Sequence, residues 1–570
     1  MLSKYKQRII GFIFSCCIVA PLVAPLTSQA QTVGAVAAQI DPGRVQKRFS
    51  QQFERQAQVP GAVSLPAEAL EKDLAGAKKT TFILRNVRFA GATAIPEQEL
   101  QAIFLHAIDT RISLADLQDL VNQVTIKYRD TGYVLSQAIL PPQEITRGTV
   151  TIQIVEGFVD SVRIQGKITN SLRLMMHAYG QHVIQQKPLR LDVLERYALL
   201  ANDLPGVTVK TVLSPSKDTP GAATLVFVVE QKLLEAQVNL NNQGTRLLGR
   251  NQFSGFVGAN GLLHGSATRL QGAATDEFDE VRYIQLSHEQ PIGSSGLKFT
   301  MSAGYTETKP DFQRIGLGPL DVEGRSNTYT FTLSYPVIRA RSHNLFVYSE
   351  FDLLDTDTDI NGLQLFDDKI RSLRLGTSFD AADAKQGVNN LGFELSQGLS
   401  AFGAKADPAS RNNGTLDYTK IEAHLSRLQF LPRHFSLLLS ARGQYSFSNL
   451  LSSEEFGVGG IDIGRGYDPS EITGDRGLAG KAELRYDFIP DVPVLDRLQL
   501  FGFYDAGVVW NINTNAQLGR ESIVSAGGGL RMLLTEYLST EAYIARPINK
   551  IVNNEDDKRT RFFISVVGRI

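Results

Sequence analysis

The sequence predicts an α+β N-terminal half built from two small repeated units, followed by an all-β transmembrane barrel of about 16 antiparallel strands. Three observations carry that expectation. An export signal opens the chain, the order β-α-α-β-β occurs twice between residues 81 and 232, and from about Leu234 helical spacing gives way to strict alternation. Composition excludes several competitors. With 43% hydrophobic and 21% charged residues among 570, the chain is too apolar to be mostly disordered. A mean hydropathy of -0.10 is too low for a polytopic helical membrane protein. The net charge of -1 gives no reason to expect nucleic acid as a partner.

Residues 1–30 read as a signal peptide. Lys4, Lys6 and Arg8 precede an apolar run from Ile9 to Leu26, and Ser28-Gln29-Ala30 has the small-x-small form of a cleavage site. Both cysteines, Cys16 and Cys17, lie inside that run, so the mature chain is expected to hold no disulfide and no thiolate metal site. Beyond it, no run approaches the length of a spanning helix. An exported chain of this kind is either soluble or spans a membrane as a closed barrel, the other fold that satisfies its backbone in lipid.

Residues 31–56 hold a short predicted helix, Asp41 to Gln56, with Val45, Phe49 and Phe53 at every fourth position. Its apolar stripe is one residue wide, narrower than a helix docked on an ordinary core presents, so the helix either sits in wet surroundings or is not stably helical. Residues 57–80, with Pro60 and Pro66, read as a linker.

In the first repeated unit, residues 81–157, Phe82 to Phe89 is a strand and a helix runs from Pro96 through Phe104. Ser113 is the N-cap of a second helix carrying Leu114, Leu117, Val121, Val124 and Tyr128, which stops at Gly132. Tyr133 to Leu140 and Gly148 to Val155 are the closing strands. The second unit, residues 158–232, repeats the order: strand Val159 to Ile164, helices Ser171 to Ile184 and Leu191 to Leu204, strands Val207 to Leu213 and Ala223 to Val229.

Residues 233–570 alternate. Tyr329, Phe331, Leu333, Tyr335 and Val337 share one face, as do Leu437, Leu439, Ala441, Gly443, Tyr445 and Phe447; Gly480, Ala482, Leu484, Tyr486 and Phe488; and Phe562, Ile564, Val566, Gly568 and Ile570. A soluble β-sandwich also alternates. The uninterrupted succession of strands and the aromatic apolar faces favour a barrel with one face to lipid and one to a wet lumen.

Within that region, Leu498, Leu500, Tyr504, Val508 and Trp510 form a lipid-side set, which turns Phe503, Asp505 and Gly507 to the lumen. A carboxylate there favours a cationic partner. The most suggestive is Arg465, in the Gly-rich loop Gly459-Gly460-Ile461-Asp462-Ile463-Gly464-Arg465-Gly466-Tyr467, whose glycines let backbone approach closely. On the residues alone, Asp505 as a solvated lumen charge and Arg465 as an ordinary loop cation stay open.

The layout resembles the TpsB family of outer-membrane transporters of two-partner secretion, over essentially the whole mature chain. The family's inward-folded loop carries V-R-G-Y, matched by Gly464-Arg465-Gly466-Tyr467, and a later strand carries F-x-D-x-G, matched by Phe503-Tyr504-Asp505-Ala506-Gly507. Two departures stand out: Gly464 in place of Val, and a terminal Ile570 in place of Phe. The resemblance implies two periplasmic POTRA domains, a 16-stranded outer-membrane barrel, and a plug helix within residues 31–56 carrying Val45, Phe49 and Phe53. It also implies a loop lock formed by Arg465, Gly466, Tyr467, Phe503, Asp505 and Gly507.

The implied partner is a large secreted TpsA-type protein (adhesin, hemolysin or toxin), bound unfolded by the POTRA domains and passed through the barrel. Outer-membrane lipid and the barrel assembly machinery are further implied partners. Strand addition at an exposed sheet edge is a plausible capture mode, with Tyr133, Val134, Leu135, Ser136, Gln137 and Ala138 as the expected edge.

No enzyme is expected. The eight His show no metal-ligand spacing, and neither G-x-S-x-G nor a phosphate-cradling G-x-x-x-x-G-K-[ST] is present. No cofactor or metal is expected either. The alternatives are a barrel insertase that assembles other membrane proteins, a solute porin, or a soluble exported adhesion protein.

Overall fold

The computed structural model describes residues 36–55, 80–216, 219, 221–316, 318–512 and 519–570. The predicted signal peptide lies outside the described residues, as does the linker apart from Thr80.

A helix, α1 (Pro42–Arg55), comes first, preceded by helical residues 36–40. The first α+β unit then begins. The strand expected over Phe82 to Phe89 is two strands, β1 (Thr81–Ile83) and β2 (Asn86–Ala90). The break has a tertiary cause. The Leu84 amide donates to Thr110 O at 3.2 Å and the Arg85 amide to Gly148 O at 2.8 Å, so the chain changes partners between them. Helix α2 (Glu97–Gln101) and β3 (Arg111–Ser113), which pairs with β1, lead into α3 (Leu114–Asp130). Ser113 caps α3 as expected. Its Oγ accepts from the Asp116 amide at 3.1 Å and the Asp116 carboxylate accepts from the Ser113 amide at 2.8 Å, a reciprocal capping box. Gly132, at φ +96°, takes the chain out of the helix.

Tyr133 to Leu140 is not one strand. Only β4 (Gln137–Ile139) pairs, and it forms the edge of a sheet ordered β2-β5-β4 with β5 (Thr149–Val155) at its centre. Val150, Ile152 and Ile154 of β5 are buried, the inward set that the alternation predicts. The second unit has the same topology: β6 (Phe158–Gln165), α4 (Asn170–Gln185), α5 (Leu191–Asn202), β7 (Val207–Pro215) and β8 (Ala222–Gln231), in the sheet order β6-β8-β7. In both sheets the first strand runs parallel to the last and the middle one antiparallel.

The missing half of the expected edge strand makes the joint between the units. Leu135 packs on the second unit's core, Ser136 Oγ accepts from the Gly157 amide at 3.2 Å, and the Gly132 carbonyl accepts from the Leu191 amide at 2.8 Å. Leu135 and Ser136 are therefore not available at an edge.

Sixteen antiparallel strands close the barrel. The first eight are β9 (Leu234–Asn241), β10 (Gln252–Asn260), β11 (Ala267–Thr275), β12 (Val281–Ile292), β13 (Leu297–Thr308), β14 (Val322–Arg339), β15 (His343–Ile360) and β16 (Leu363–Ala382). After β17 (Gly387–Gly398), a loop contributes a two-residue strand, β18 (Lys405–Ala406), against β16. The barrel continues with β19 (Thr419–Phe430) and β20 (Phe435–Ser446). A long loop follows, containing β21 (Phe456–Val458) and β22 (Ile472–Gly474). Then come β23 (Arg476–Phe488), β24 (Arg497–Trp510), β25 (Arg520–Thr535), β26 (Leu538–Pro547) and β27 (Arg561–Arg569), which pairs with β9.

The four alternating faces read from sequence point outward: Tyr329, Phe331, Leu439, Tyr445, Leu484, Phe488, Phe562 and Ile564 are all exposed on the lipid side. The described residues contain no helix long and apolar enough to cross a membrane.

The second α+β unit docks on the short-turn end of the barrel. Arg339 at the end of β14 grips Asp203 with two hydrogen bonds of 2.7 and 2.6 Å, and Arg196 of α5 donates to Pro336 O at 2.9 Å.

Candidate functional site

The loop between β20 and β23 folds into the lumen instead of away from the barrel. Its two strands pair as a small antiparallel hairpin, Phe456 opposite Gly474 and Val458 opposite Ile472. An apolar cluster seats it against the inner wall: Phe456, Val458, Ile463, Tyr467 and Ile472 from the loop meet Ala479, Val509 and Ile523 from β23, β24 and β25. Burying that set inside a wet lumen supplies most of the reason the loop turns inward.

Alternation along β24 places Phe503, Asp505 and Gly507 inward, with Leu500, Tyr504 and Trp510 outward. Asp505 is fully buried and receives four hydrogen bonds from the loop tip. The Gly464 and Arg465 amides donate at 3.1 and 3.0 Å, Arg465 Nε at 3.0 Å and Arg465 Nη2 at 2.9 Å. The guanidinium lies over the Phe503 ring, Cζ 3.6 Å from its centroid, a cation–π contact strengthened by the burial of both groups.

Asp505 and Glu483 both face the buried guanidinium, so two carboxylates compensate its charge in place. The structure thus brings together the two residues that sequence placed 40 positions apart.

Each remaining motif residue has a steric or hydrogen-bonding reason. Gly507 faces Val458, and a Cβ there would sit 2.5 Å from Val458 Cγ1. Gly466 lies against the wall, where a Cβ would come within 3.0 Å of the Arg546 carbonyl carbon. Tyr467 is buried, its hydroxyl donating to Lys550 O at 2.9 Å and accepting from the Lys550 amide at 3.1 Å. Gly464 adopts φ +94°, which disfavours any β-branched residue, so glycine suits this backbone where the family motif has valine.

Sequence reasoning missed Glu483. It is buried on β23, pairs with Arg465 Nη1, and also accepts from Arg485 Nε and Arg531 Nη1, both at 2.8 Å. The alternation did mark Glu483 as lumen-facing. What it lacked was the register that sets Glu483 directly opposite Phe503.

Helix α1 lies within the lumen. Val45 and Phe49 are buried in an apolar cluster with Leu247, Leu248, Val281 and Tyr283, and Phe49 stacks on Tyr283 with centroids 5.4 Å apart. Phe53 belongs to the helix, but its side chain lies outside the described residues. Part of the polar surface of α1 is buried too, at Asp41, Arg44 and Gln46, while Lys47 is exposed. Ser50 Oγ donates to Gln285 Oε1 at 2.9 Å, and Arg44 Nη1 to Ser452 O at 2.5 Å. Its narrow apolar stripe thus reflects a polar lumen around a well-formed helix.

At the expected capture edge, Gln137 and Ala138 remain in β4, and the Ala138 amide already donates to Thr125 Oγ1 at 3.0 Å. Tyr133 packs edge-on against Tyr128, and Val134 lies between it and the joint. The described residues contain no cluster of three or more His, Cys, Asp or Glu arranged to hold a metal ion.

The inward loop is held to the wall through Arg465 and Tyr467, inside a 16-stranded barrel that carries α+β units at one end. Residues 224–532 match the family of haemolysin secretion/activation proteins ShlB/FhaC/HecB. The chain belongs to this family. Residues 82–157 match the ShlB-type POTRA domain, so the first α+β unit is a POTRA domain.

Among curated relatives, the heme/hemopexin transporter protein HuxB of Haemophilus influenzae is 26% identical over 490 residues, covering 82% of this chain and 83% of that protein. The outer membrane transporter CdiB of Dickeya dadantii is 24% identical over 473 residues, 81% of each chain. The solved structure of CdiB from Escherichia coli superposes with a TM-score of 0.74 at 18% identity, over 96% of this chain and all of that one, which shows a common fold. Family membership brings the family's work: translocation of a partner protein across the outer membrane, with POTRA domains on the periplasmic side.

Proposed function

We propose that this transporter keeps its pore closed with two lumen elements and opens it when an unfolded, exported TpsA-type partner arrives at the POTRA domains. The carrying observation is that α1 and the inward loop both occupy the passage, each seated through buried ionic and apolar contacts. In this reading the Arg465–Asp505 pair, backed by Phe503, Gly466, Tyr467 and Gly507, is the lock that fixes the loop. Helix α1 is the plug, and the linker after it gives the length to leave.

The second α+β unit acts as a second POTRA domain, coupled to the barrel through Asp203 and Arg339. The partner enters in extended form along β4 of the first unit, where Ile139 and the neighbouring Ile126 of α3 are exposed. Energy comes from the partner's folding outside or from steps that the sequence does not show. Outer-membrane lipid surrounds the exposed aromatic and aliphatic faces, and the barrel assembly machinery inserts the protein.

Two experiments test this. Deleting the gene and comparing secreted proteins is expected to remove one large exported protein; loss of many barrel proteins would instead identify an insertase. Deleting Asp41 to Gln56 is expected to raise conductance in planar bilayers, and unchanged conductance would end the plug assignment.

A further inference from the structure

The loop is tied to the barrel wall at a second place, away from the Arg465–Asp505 pair. Glu454, at the turn that begins the lumen excursion, is 3% exposed. Its carboxylate accepts from Arg374 Nη2 of β16 at 2.8 Å and pairs with Lys420 Nζ of β19 at 2.7 Å. The Glu454 carbonyl accepts from the same Lys420 Nζ at 3.0 Å and from Gln444 Nε2 of β20 at 3.2 Å. Arg374 is itself held on the wall by Asp352 at 2.9 Å and Glu394 at 3.5 Å, so its guanidinium has wall partners besides the loop.

The same turn is where α1 sits. Ser453 Oγ donates to Asp41 at 3.1 Å, and Arg44 reaches the Ser452 carbonyl at 2.5 Å and the Glu455 carbonyl at 3.3 Å. A Cβ on Gly43 would lie 3.3 Å from Ser453 Cβ, so helix and turn are in direct backbone proximity. The Arg465 anchor, by contrast, fastens to β23 and β24 and makes none of these contacts with α1.

We propose that Glu454 is a second positioning residue of the lumen loop, and that this anchor, not the Arg465–Asp505 pair, carries the seat of α1. The inference rests on the reading of α1 as a plug. The two ends of the loop then have separate tasks: one keeps the loop in the barrel and the other presents the turn Leu451–Glu455 to the helix. Weakening the second anchor frees the helix while the lock stays closed.

The test uses the full-length protein in bilayers and exploits the absence of cysteine after Cys17. Gly43→Cys with Ser453→Cys reports the helix on its seat. Asp462→Cys with Lys481→Cys, whose native side chains meet at 3.0 Å between loop and β23, reports the locked end when bridged by a short bifunctional thiol reagent.

Glu454→Gln is expected to cut the first cross-link about fivefold, leave the second near its original yield, and raise conductance toward that of the Asp41 to Gln56 deletion. Glu454→Asp, which keeps the charge, should retain most of the first cross-link. Lys420→Gln approaches the same contact from the wall and should act like Glu454→Gln if that variant fails to assemble. An unchanged first cross-link, or equal loss of both, overturns the proposal. If the deletion itself leaves conductance unchanged, the plug reading falls, and the cross-links still decide whether Glu454 seats the helix.

Discussion

Asp505 accepts hydrogen bonds from both the side chain and the backbone of Arg465, with Arg465 Nη2 at 2.9 Å and the Arg465 amide at 3.0 Å. The pair therefore fixes loop backbone as well as a side chain, and the two halves fail differently. Arg465→Ala leaves Asp505 its amide donors but removes the guanidinium from both carboxylates and from the Phe503 ring. Asp505→Ala leaves the buried guanidinium with Glu483 alone and strands two buried amides, a loss on the order of 3 kcal/mol. Asp505→Asn keeps one acceptor oxygen. Secretion of the partner is expected to fall about tenfold or more in both alanine variants and less in Asp505→Asn, with all three still inserted in the outer membrane. Normal secretion by both alanine variants would remove the lock from the mechanism.

The Gly507–Val458 contact gives a steric test that involves no charge. A Cβ at 507 overlaps Val458 Cγ1 at 2.5 Å, and both positions sit between rigid elements, so Gly507→Ala forces the β21–β22 hairpin off the wall. Overpacking of this kind costs about 1–3 kcal/mol. Secretion is expected to drop in Gly507→Ala and to recover when Val458→Ala is added. If the second change gives no recovery, the clash is not the cause.

How much of this was legible in the sequence follows from where the information lies. Period-2 alternation gave the inward set Phe503, Asp505 and Gly507 because lipid and lumen impose opposite polarity on adjacent residues, a local signal. The loop motif was readable through Arg465-Gly466-Tyr467, where the close approach at Gly466 demands glycine, whereas Gly464 departs from the motif and its φ of +94° explains why. Glu483 and Glu454 were not. Both are ordinary carboxylates locally, and only barrel register and loop path bring them to Arg465 and Arg374. The same holds for α1, whose Arg44 finds its acceptor carbonyl at Ser452, 408 positions along the chain. The break at Leu84 and the shortening of Tyr133 to Leu140 are tertiary decisions too, set by partners at Thr110 and Gly157.

Glu156 gives the first POTRA domain a pH dependence. It closes that domain by accepting from the Thr93 and Ala94 amides at 2.7 and 2.8 Å and from the Tyr128 hydroxyl at 2.9 Å. Burial pushes its carboxyl upward, but those hydrogen bonds outweigh it and hold the group below glutamate's ordinary value. With the folded value depressed, the stabilisation is full above about pH 4.3 and is lost as pH falls through the folded value. Proteolysis of the periplasmic domains in the intact protein is expected to accelerate on acidification in wild type. In Glu156→Gln it should be faster at neutral pH and nearly flat with acid. A wild-type acid response that survives in Glu156→Gln would assign the titration to another group.

Phe49 tests whether apolar packing or polar seating holds α1. It is 1% exposed, stacks on Tyr283, and has the Arg48 guanidinium 4.8 Å from its ring centroid. Removing the ring costs about 3–5 kcal/mol in an ordinary core. Here one side of the helix already rests on loop carbonyls, and the lumen can admit water to the gap, so the loss is expected at the low end. Phe49→Ala should raise the open fraction of the pore in single-channel records by about tenfold or more. Tyr283→Ala should have a smaller effect, because the Ser50–Gln285 hydrogen bond remains. If Phe49→Ala leaves the open fraction unchanged while Arg44→Ala raises it, the polar seat alone retains the helix, and the apolar cluster serves only to orient it.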